Sequence, residues 1–503
     1  MNRGKQLKRN TIWSLFYELL TIICGFILPR YFLLYYGTDI NGLQSSITQF
    51  LGIISLCELG LGAVIPASLY KPLAEKDYET VSKVYVSSQR FYNIIGFIMI
   101  LYVILLILIY PSIISHSYSF LYTGSLIFII AISTVAQYFF GITNTLLLKS
   151  DQKQYIPLVI NSITLIINTV ISILLVVLGC SIHVVKLLSA VIFIVRPLYL
   201  NWYVRHHYSI NRRIVYDSEP IKQKWNGIAQ HLAYTIQDKI GVIVLTLMSS
   251  LANVSVFGVY YMLINGVRGL LYSLTSGISA YFGNILANGE NSVFRKTFEL
   301  FEWLFHVLTI LVFALLSICV VGFVDIYTTG VKDAQIYHTP LFAFIFCAAM
   351  AFRCLQLPYN TVVQTIGHFK ETQNSAIIEP FINIIICFAA VQKLGLVGVA
   401  LGSFVSMLYR FLYLSLYVDN KVLLSSHKRL LKIITFDIII YVAIVSLGRL
   451  MYFNISTFAL NWAIQIVLSS IIAVLIISVL SYFIFPDNFC GVFKIVANTI
   501  KRK

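Results

Sequence analysis

VSVFGVYYMLINGVRGLLYSLTSGISA, residues Val254–Ala280, has about the length that a helix needs to cross a bilayer. Arg268 stands near its middle. Tyr261, Asn265, Arg268, Tyr272 and Thr275 follow one another at steps of four, three, four and three, so a helix puts all five on one face. The opposite face is Val, Leu and Ile. A charged side chain at bilayer mid-depth costs several kcal/mol, about 3 on insertion scales, unless it faces protein or water. Such a helix either lines a polar cavity or forms a hydrogen-bonded seam with a neighbour. Matching stripes on other spans would favour the cavity.

The chain around this stretch has 503 residues, 59% of them hydrophobic and 11% charged, which is the composition of a polytopic membrane protein. A net charge of +16 could suggest nucleic acid. The cations instead fall in short loops between apolar spans and form no basic domain, so no nucleic-acid partner is expected. Most of the eight cysteines (Cys24, Cys57, Cys319, Cys347, Cys354 and Cys387 among them) lie inside apolar spans without paired spacing. They read as packed thiols, neither a disulfide framework nor a zinc site. The basic start MNRGKQLKRN has no small-residue cleavage site after it and reads as the entry to a retained helix.

Hydropathy predicts an all-α chain with about fourteen spans, at roughly 11–35, 42–67, 85–110, 119–146, 157–179, 184–204, 228–249, 254–281, 298–322, 339–365, 376–391, 396–418, 433–453 and 459–484. With the N-terminus inside, inner segments hold about 25 Lys and Arg, while the outer loops hold Lys332 and Lys393. That asymmetry supports the count and places both termini in the cytoplasm of a cell membrane. The largest inner loop, Arg205–Asn226, carries Arg205, Arg212, Arg213, Lys222 and Lys224. It reads as a linker between halves or as a contact for anionic lipid.

The halves look related. Ser189–Val204, SAVIFIVRPLYLNWYV, aligns without gaps on Ser403–Val418, SFVSMLYRFLYLSLYV, and Arg196 falls on Arg410. A nearly equal offset puts Asn144-Thr145 on Asn360-Thr361. Two six-helix lobes (1–204 and 228–418) joined by a linker (205–227), with two further helices and a tail (419–503), is the economical plan. Internal repeats around a polar site are the signature of secondary transporters.

Further stripes occur. The tenth span has Arg353, Gln356, Asn360 and Gln364 at steps of three, four and four. The seventh has His231, Tyr234 and Asp238 on one face, with Lys239 beside them; the first has Glu18 and, further out, Arg30. The fifth offers Asn161, Thr164 and Asn168. The thirteenth and fourteenth hold few such residues and read as peripheral. Each residue also has a structural reading: Glu18 or Asp238 paired to another helix, His231 as a hydrogen-bonded packing residue, Glu58 as a buried anchor, Asp437 and Arg449 snorkelling to the interface. Within the spans, Arg30, Lys186, Arg196, Lys239, Arg268, Arg353 and Arg410 outnumber Glu18, Glu58 and Asp238. An Arg-rich cavity suits a polyanion, since guanidinium binds phosphate oxygens two at a time, and interleaved Tyr, Asn and Gln suit sugar hydroxyls. No G-x-x-x-x-G-K-[ST] loop and no H-E-x-x-H occurs. The longest outer segment, about Phe323–His338, is too small for a catalytic domain, so no enzyme activity is expected.

The pattern Asn41-Gly-Leu, then CELGLGA and SLYKPLAEKD (Ser68–Asp77), with His231 through Asp238, Val259-Tyr260-Tyr261 and Phe282-Gly283-Asn284, resembles the bacterial polysaccharide-export flippases. These are the Wzx-like members of the multidrug/oligosaccharidyl-lipid/polysaccharide superfamily. The resemblance runs over most of the chain. It implies flipping of an undecaprenyl-pyrophosphate-linked oligosaccharide from inner to outer leaflet for capsule or exopolysaccharide assembly, by alternating access of two lobes around a cationic cavity. It implies membrane lipids and, in the assembly pathway, a polymerase and other polysaccharide-assembly proteins as partners. On that reading Arg268, Arg353, Arg30 and Arg196 hold pyrophosphate, Tyr261, Asn265, Gln356 and Asn360 meet sugar, and Lys239 and Arg410 add charge. No cofactor is implied. Energy would come from a proton or Na⁺ gradient, through Glu18, His231 or Asp238. A drug/cation antiporter of the same superfamily and a membrane polysaccharide polymerase are the competing readings; the cation excess speaks against the first and the short outer loops against the second.

Overall fold

The computed structural model describes residues 3–58, 61–114, 118–216, 218, 221, 228–275, 278–287, 289–424, 427–450 and 458–491. Among them all regular structure is helical. The chain divides into two compact units, Met1–Lys239 and Ile240–Lys503.

In the first unit, α1 (Arg3–Leu51) is broken at Gly37, whose φ of 82° and ψ of 176° belong to a region that glycine alone enters cheaply. Without the break a helix of this length would extend about 74 Å, more than twice the hydrocarbon core. The glycine therefore turns one long apolar run into two spans. A 3₁₀ turn, Gly52–Glu58, leads to α2 (Leu61–Glu75). Then come α3 (Tyr78–Ile113), α4 (Phe120–Phe140), α5 (Ile142–Ser150), α6 (Tyr155–Val177), α7 (Ile182–His207) and α8 (Ile228–Met248). The Asp77 side chain caps α3 by accepting the Thr80 N–H at 3.0 Å. The boundary between the units falls within α8.

The second unit holds α9 (Leu251–Thr275), α10 (Ile278–Ala287), α11 (Asn291–Tyr327), α12 (Pro340–Leu355), α13 (Leu357–Ile366), α14 (Phe369–Leu394), α15 (Leu396–Val418), α16 (His427–Leu450) and α17 (Phe458–Ile484). The order of elements repeats. A 36-residue α3 answers a 37-residue α11, the break between α4 and α5 answers that between α12 and α13, and the α6–α7 hairpin answers α14–α15. The two lobes are thus copies of one plan, with α16 and α17 added to the second.

Among the described residues twelve helices are long and apolar enough to cross a membrane. One of them, Lys8–Glu58, contains the Gly37 break and counts twice. The helix α8 falls short in hydropathy because of Gln230, His231, Gln237, Asp238 and Lys239, yet at 21 residues it is long enough. These two additions bring twelve to the fourteen expected.

Close approach explains the α14–α15 hairpin. Gly398 and Gly402 stand one turn apart on α15, and a Cβ on Gly398 would lie 2.7 Å from the Ala390 carbonyl carbon. A Cβ on Gly402 would lie 2.5 Å from Cys387 Sγ and 3.0 Å from the Asn383 backbone oxygen. Small residues at this spacing let two apolar helices meet backbone to backbone, where packing and not the hydrophobic effect must hold them. The core of the second unit is aromatic, with Phe282, Phe294, Phe298, Tyr359 and Phe411 all buried.

The last two helices do not sit on the lobe by apolar contact alone. Tyr441 of α16 shares a hydrogen bond with Ser317 of α11 at 2.7 Å, and Trp462 Nε1 of α17 donates to the Cys319 carbonyl at 2.8 Å. Asn461, Gln465, Ser469 and Ser481 form the buried face of α17. Of the two helices expected to be peripheral with few polar groups, α17 turns four polar residues inward and α16 turns Asp437 inward, while Thr435, Ser446 and Arg449 of α16 are exposed.

Candidate functional site

Each arginine in the spans is placed by the helix that carries it and by what stands opposite. In the first unit, Arg196 on α7 is half-buried. Its Nε donates to Thr164 Oγ1 at 2.6 Å and its Nη2 to the Asn161 carbonyl at 3.2 Å, both on α6. Phe193 lies under the guanidinium at 4.2 Å. In the second unit, Arg410 on α15 donates from Nη1 to the Thr372 carbonyl at 3.2 Å and to Ser375 Oγ, both on α14. The sequence alignment that paired these two arginines therefore has a structural meaning: each staples its hairpin through a carbonyl and a hydroxyl three residues further on.

Arg353 on α12 is 2% exposed and donates to Glu379 Oε1 at 2.9 Å. The other oxygen of Glu379 lies 3.9 Å from Arg410 Nε. One buried carboxylate thus joins Arg353 and Arg410 across α12, α14 and α15. Sequence reasoning missed Glu379. It follows Thr372 and Ser375 and precedes Asn383 at helical steps of three, four and four on α14, a buried polar stripe that could have marked it.

Arg268 on α9 is buried, with its guanidinium 5.7 Å from the Tyr272 ring. Tyr261 stacks on Phe257 at 5.8 Å and meets Phe346 at 6.4 Å. The Asn265 Oδ1 is buried and has no hydrogen-bond partner. Helix α9 packs on α12 and α13 inside the second unit, and Arg268 lies within electrostatic reach of Cys354 on α12. Gln356, buried, and Asn360, half-buried, sit at the α12–α13 break, where Gln356 also caps α13. Gln356, Arg353 and Asn360 thus occupy successive turns of an interrupted helix. Such breaks free backbone groups for a ligand.

In the first unit, Arg30 is half-buried on α1. Lys239 Nζ lies 3.5 Å from Gln49 Oε1. Glu18 is exposed on α1 and Asp238 is half-buried on α8. The side chain of His231 lies outside the described residues. Glu58 accepts the Tyr138 hydroxyl at 2.7 Å, the anchoring role expected of it. Among the described residues no group of His, Cys, Asp and Glu is arranged to hold a metal ion.

The linker begins by folding onto the first unit. Tyr208 donates to Asp151 Oδ2 at 2.5 Å, and Lys153 pairs with the same carboxylate at 2.7 Å. Burial together with this carboxylate pushes the Tyr208 phenol well above its ordinary range. Arg212 bonds Asn201 Oδ1 at 3.1 Å from both Nη atoms. A cavity of about 310 Å³ opens between Arg205, Tyr208 and Arg212.

One reading is corrected outright. Asp437 does not snorkel: it is 4% exposed and its Oδ2 lies 2.6 Å from His306 Nδ1 on α11. Its position eleven residues into α16 made it look interfacial, but the facing helix supplies a partner. Arg449 is exposed near the end of α16, over the Phe344 ring at 5.4 Å.

The chain matches no protein-family model and no curated protein. Solved structures match its fold closely. A lipid II flippase, MurJ, in an inward closed conformation has a TM-score of 0.68 at 17% identity, covering 94% of this chain and 98% of that one. An inward-facing multidrug resistance MATE transporter of the MOP superfamily has a TM-score of 0.60 at 14% identity, covering 80% of this chain and 95% of that one. The Vibrio cholerae MATE transporter VcmN in its bent form has a TM-score of 0.54 at 12% identity, covering 84% and 99%. The fold is that of the multidrug/oligosaccharidyl-lipid/polysaccharide exporters, and these neighbours are transporters, not enzymes.

Proposed function

We propose that this chain is a flippase that carries undecaprenyl-pyrophosphate-linked oligosaccharide repeat units from the inner to the outer leaflet, for capsule or exopolysaccharide assembly, by alternating access. The observation that carries the reading is the extent of the fold match. The lipid II flippase covers 94% of the chain, whereas the MATE transporter, itself covered at 95%, leaves a fifth of the chain without counterpart. That difference in coverage supports a flippase over a drug exporter. The cation excess within the spans supports the same choice, since it suits pyrophosphate and opposes a cationic drug.

Arg268 is the residue proposed to meet pyrophosphate, with Tyr261, Asn265, Gln356 and Asn360 toward the sugar. The unpartnered Asn265 Oδ1 supports this, because a buried amide oxygen costs about 1–3 kcal/mol until something donates to it. Arg196, Arg353 and Arg410 are assigned to lobe architecture instead, since each is engaged by a neighbouring helix of its own unit. Arg30 and Lys239 are the first-unit cations proposed to join the anion site. Glu18, His231 and Asp238 stay candidates for coupling to a proton or Na⁺ gradient, with membrane lipids and a polymerase as partners, both termini cytoplasmic.

The test is in proteoliposomes. A pyrophosphate-linked polyprenyl oligosaccharide is loaded into one leaflet and its appearance in the other is followed. Movement catalysed by the wild type and lost in Arg268→Ala, with the fold intact, is expected. Absence of movement for lipid-linked oligosaccharides under every imposed gradient, with efflux of organic cations instead, would overturn the reading in favour of an antiporter.

A further inference from the structure

A second set of ionisable groups lies inside the second unit, away from the arginine stripes. Glu302 and His306 stand one turn apart on α11, both 0% exposed. Asp419, also 0% exposed, ends the α15 segment; Asp437 is on α16. Arg429, at the start of α16, bonds Glu302 through two nitrogens and Asp419 through one. His306 Nδ1 faces Asp437 Oδ2 at 2.6 Å, and its Nε2 faces the Tyr359 hydroxyl of α13 at 3.3 Å. Tyr359 also lies close enough to Glu302 to act on its carboxylate. The helix α17 presents no charged residue to the cluster. The Arg353–Glu379–Arg410 cluster is separate, built from other side chains.

Charge decides what this arrangement holds. Three carboxylates face one arginine. With His306 neutral the cluster would bury two uncompensated negative charges, which a low-dielectric interior does not tolerate. Two oxygens sharpen the point: Asp419 Oδ2 and Asp437 Oδ1 are buried and have no hydrogen-bond partner. A bare anionic lone pair there costs far more than a neutral carboxyl. No group of His, Cys, Asp and Glu among the described residues is placed to hold a metal ion, so a metal cation does not fit.

We infer that this cluster is a proton-binding site that carries two protons at neutral pH, one on His306 as an imidazolium paired to Asp437, the other shared by Glu302 and Asp419. Tyr359 connects the two positions. While the shared proton sits on Asp419 and Glu302 is a carboxylate, the Nε2 proton of the His306 imidazolium passes to the Tyr359 oxygen and the phenolic proton passes to Glu302. One N–H bond breaks at His306 and one O–H forms at Tyr359; one O–H breaks at Tyr359 and one forms at Glu302, which leaves His306 neutral and the charge of the cluster unchanged. Arg429 is 19% exposed and gives the cluster its contact with water. The site is distinct from Glu18, His231 and Asp238, and it stands on charge and geometry whatever cargo the lobes carry.

Infrared spectroscopy of the purified full-length protein, in H₂O and D₂O across a pH series, tests it without a transport assay. The wild type should show a protonated-carboxyl band at neutral pH that shifts in D₂O. Asp419→Asn or Glu302→Gln should remove the band, because one carboxylate then balances Arg429. Asp437→Asn should keep it and, by ¹⁵N NMR, convert His306 from imidazolium to neutral imidazole. Tyr359→Phe should keep both signals and slow their exchange with solvent at least tenfold. A wild type without a protonated carboxyl at neutral pH overturns the inference, and that result needs no variant to fold. So does a band that persists unchanged in both Asp419→Asn and Glu302→Gln, or a cluster stabilised by Na⁺ in place of protons. Failure here leaves the flippase reading standing, and failure of flipping leaves this site standing.

Discussion

Arg196 and Arg410 clasp their neighbouring helices in the same way. Arg196 bonds the carbonyl of Asn161 and the hydroxyl of Thr164, and Arg410 bonds the carbonyl of Thr372 and the hydroxyl of Ser375. The repeat is therefore conserved in side-chain bonding as well as in helix order. The two sites differ in one respect: Arg410 also faces Glu379 and is 5% exposed, whereas Arg196 is half-buried.

That difference predicts unequal costs. Arg410→Ala should destabilise the second unit by about 3–5 kcal/mol, the range for breaking a buried ion pair, and Arg196→Ala should cost the first by about 1–2 kcal/mol for its neutral hydrogen bonds. Thermal melting in detergent checks both. Equal losses would show that Glu379 adds nothing at Arg410.

Glu379→Gln should cost as much as Arg410→Ala. It leaves two buried guanidinium groups 2.9 and 3.9 Å from a neutral amide. A loss of about 3–5 kcal/mol in melting is expected, and Arg353→Met in the same chain should recover part of it, since removing a buried charge together with its partner is far cheaper than stranding one. No recovery in the double variant would separate Arg353 from Glu379.

Arg268→Ala should behave in the opposite manner. Melting should change by less than about 1 kcal/mol, while oligosaccharide flipping should fall at least tenfold, since only a ligand-facing arginine has its effect in transport and not in folding. Normal flipping would remove Arg268 from the site.

Gly402→Leu and Gly398→Val should separate α14 from α15. A Cβ at either place meets atoms at 3.0 Å or less, some of them backbone, which cannot rotate away. Overpacking of this kind costs about 1–3 kcal/mol or more. Loss of folded protein on size-exclusion chromatography is the readout, and wild-type behaviour of both would mean the hairpin is looser than its geometry.

At the start of α3, hydrogen bonds from Thr80 hold the Asp77 carboxyl below the usual carboxylate range. A depressed folded-state pKa contributes stability above the unfolded value, and that contribution is lost as pH falls through the folded value. Asp77→Asn should therefore lower stability at neutral pH and above and flatten the acid limb, so that its profile meets that of the wild type once pH falls below the folded-state value. An unchanged acid limb would show that the cap does not titrate.

Fourteen apolar spans, the repeat marked by Arg196 and Arg410, and the stripe on α9 were all legible in the sequence, because hydropathy, charge placement and helical period are properties of neighbouring residues. The anchoring of Glu58 was legible for the same reason. The partners of Glu379, Glu302 and His306 were not. Glu302 and His306 share one face of α11, but their partners Arg429 and Asp437 lie 127 and 131 positions away on α16. In an apolar chain a lone charge gives no local sign of whether it snorkels, lines a cavity or meets a partner. Helix packing alone settles that, because desolvation admits a charge to the interior only where another helix brings its counterpart. Sequence determined which segments are apolar enough to cross the membrane and that they repeat; tertiary structure decided which helices Arg196, Arg353 and Arg410 clasp and which groups surround His306.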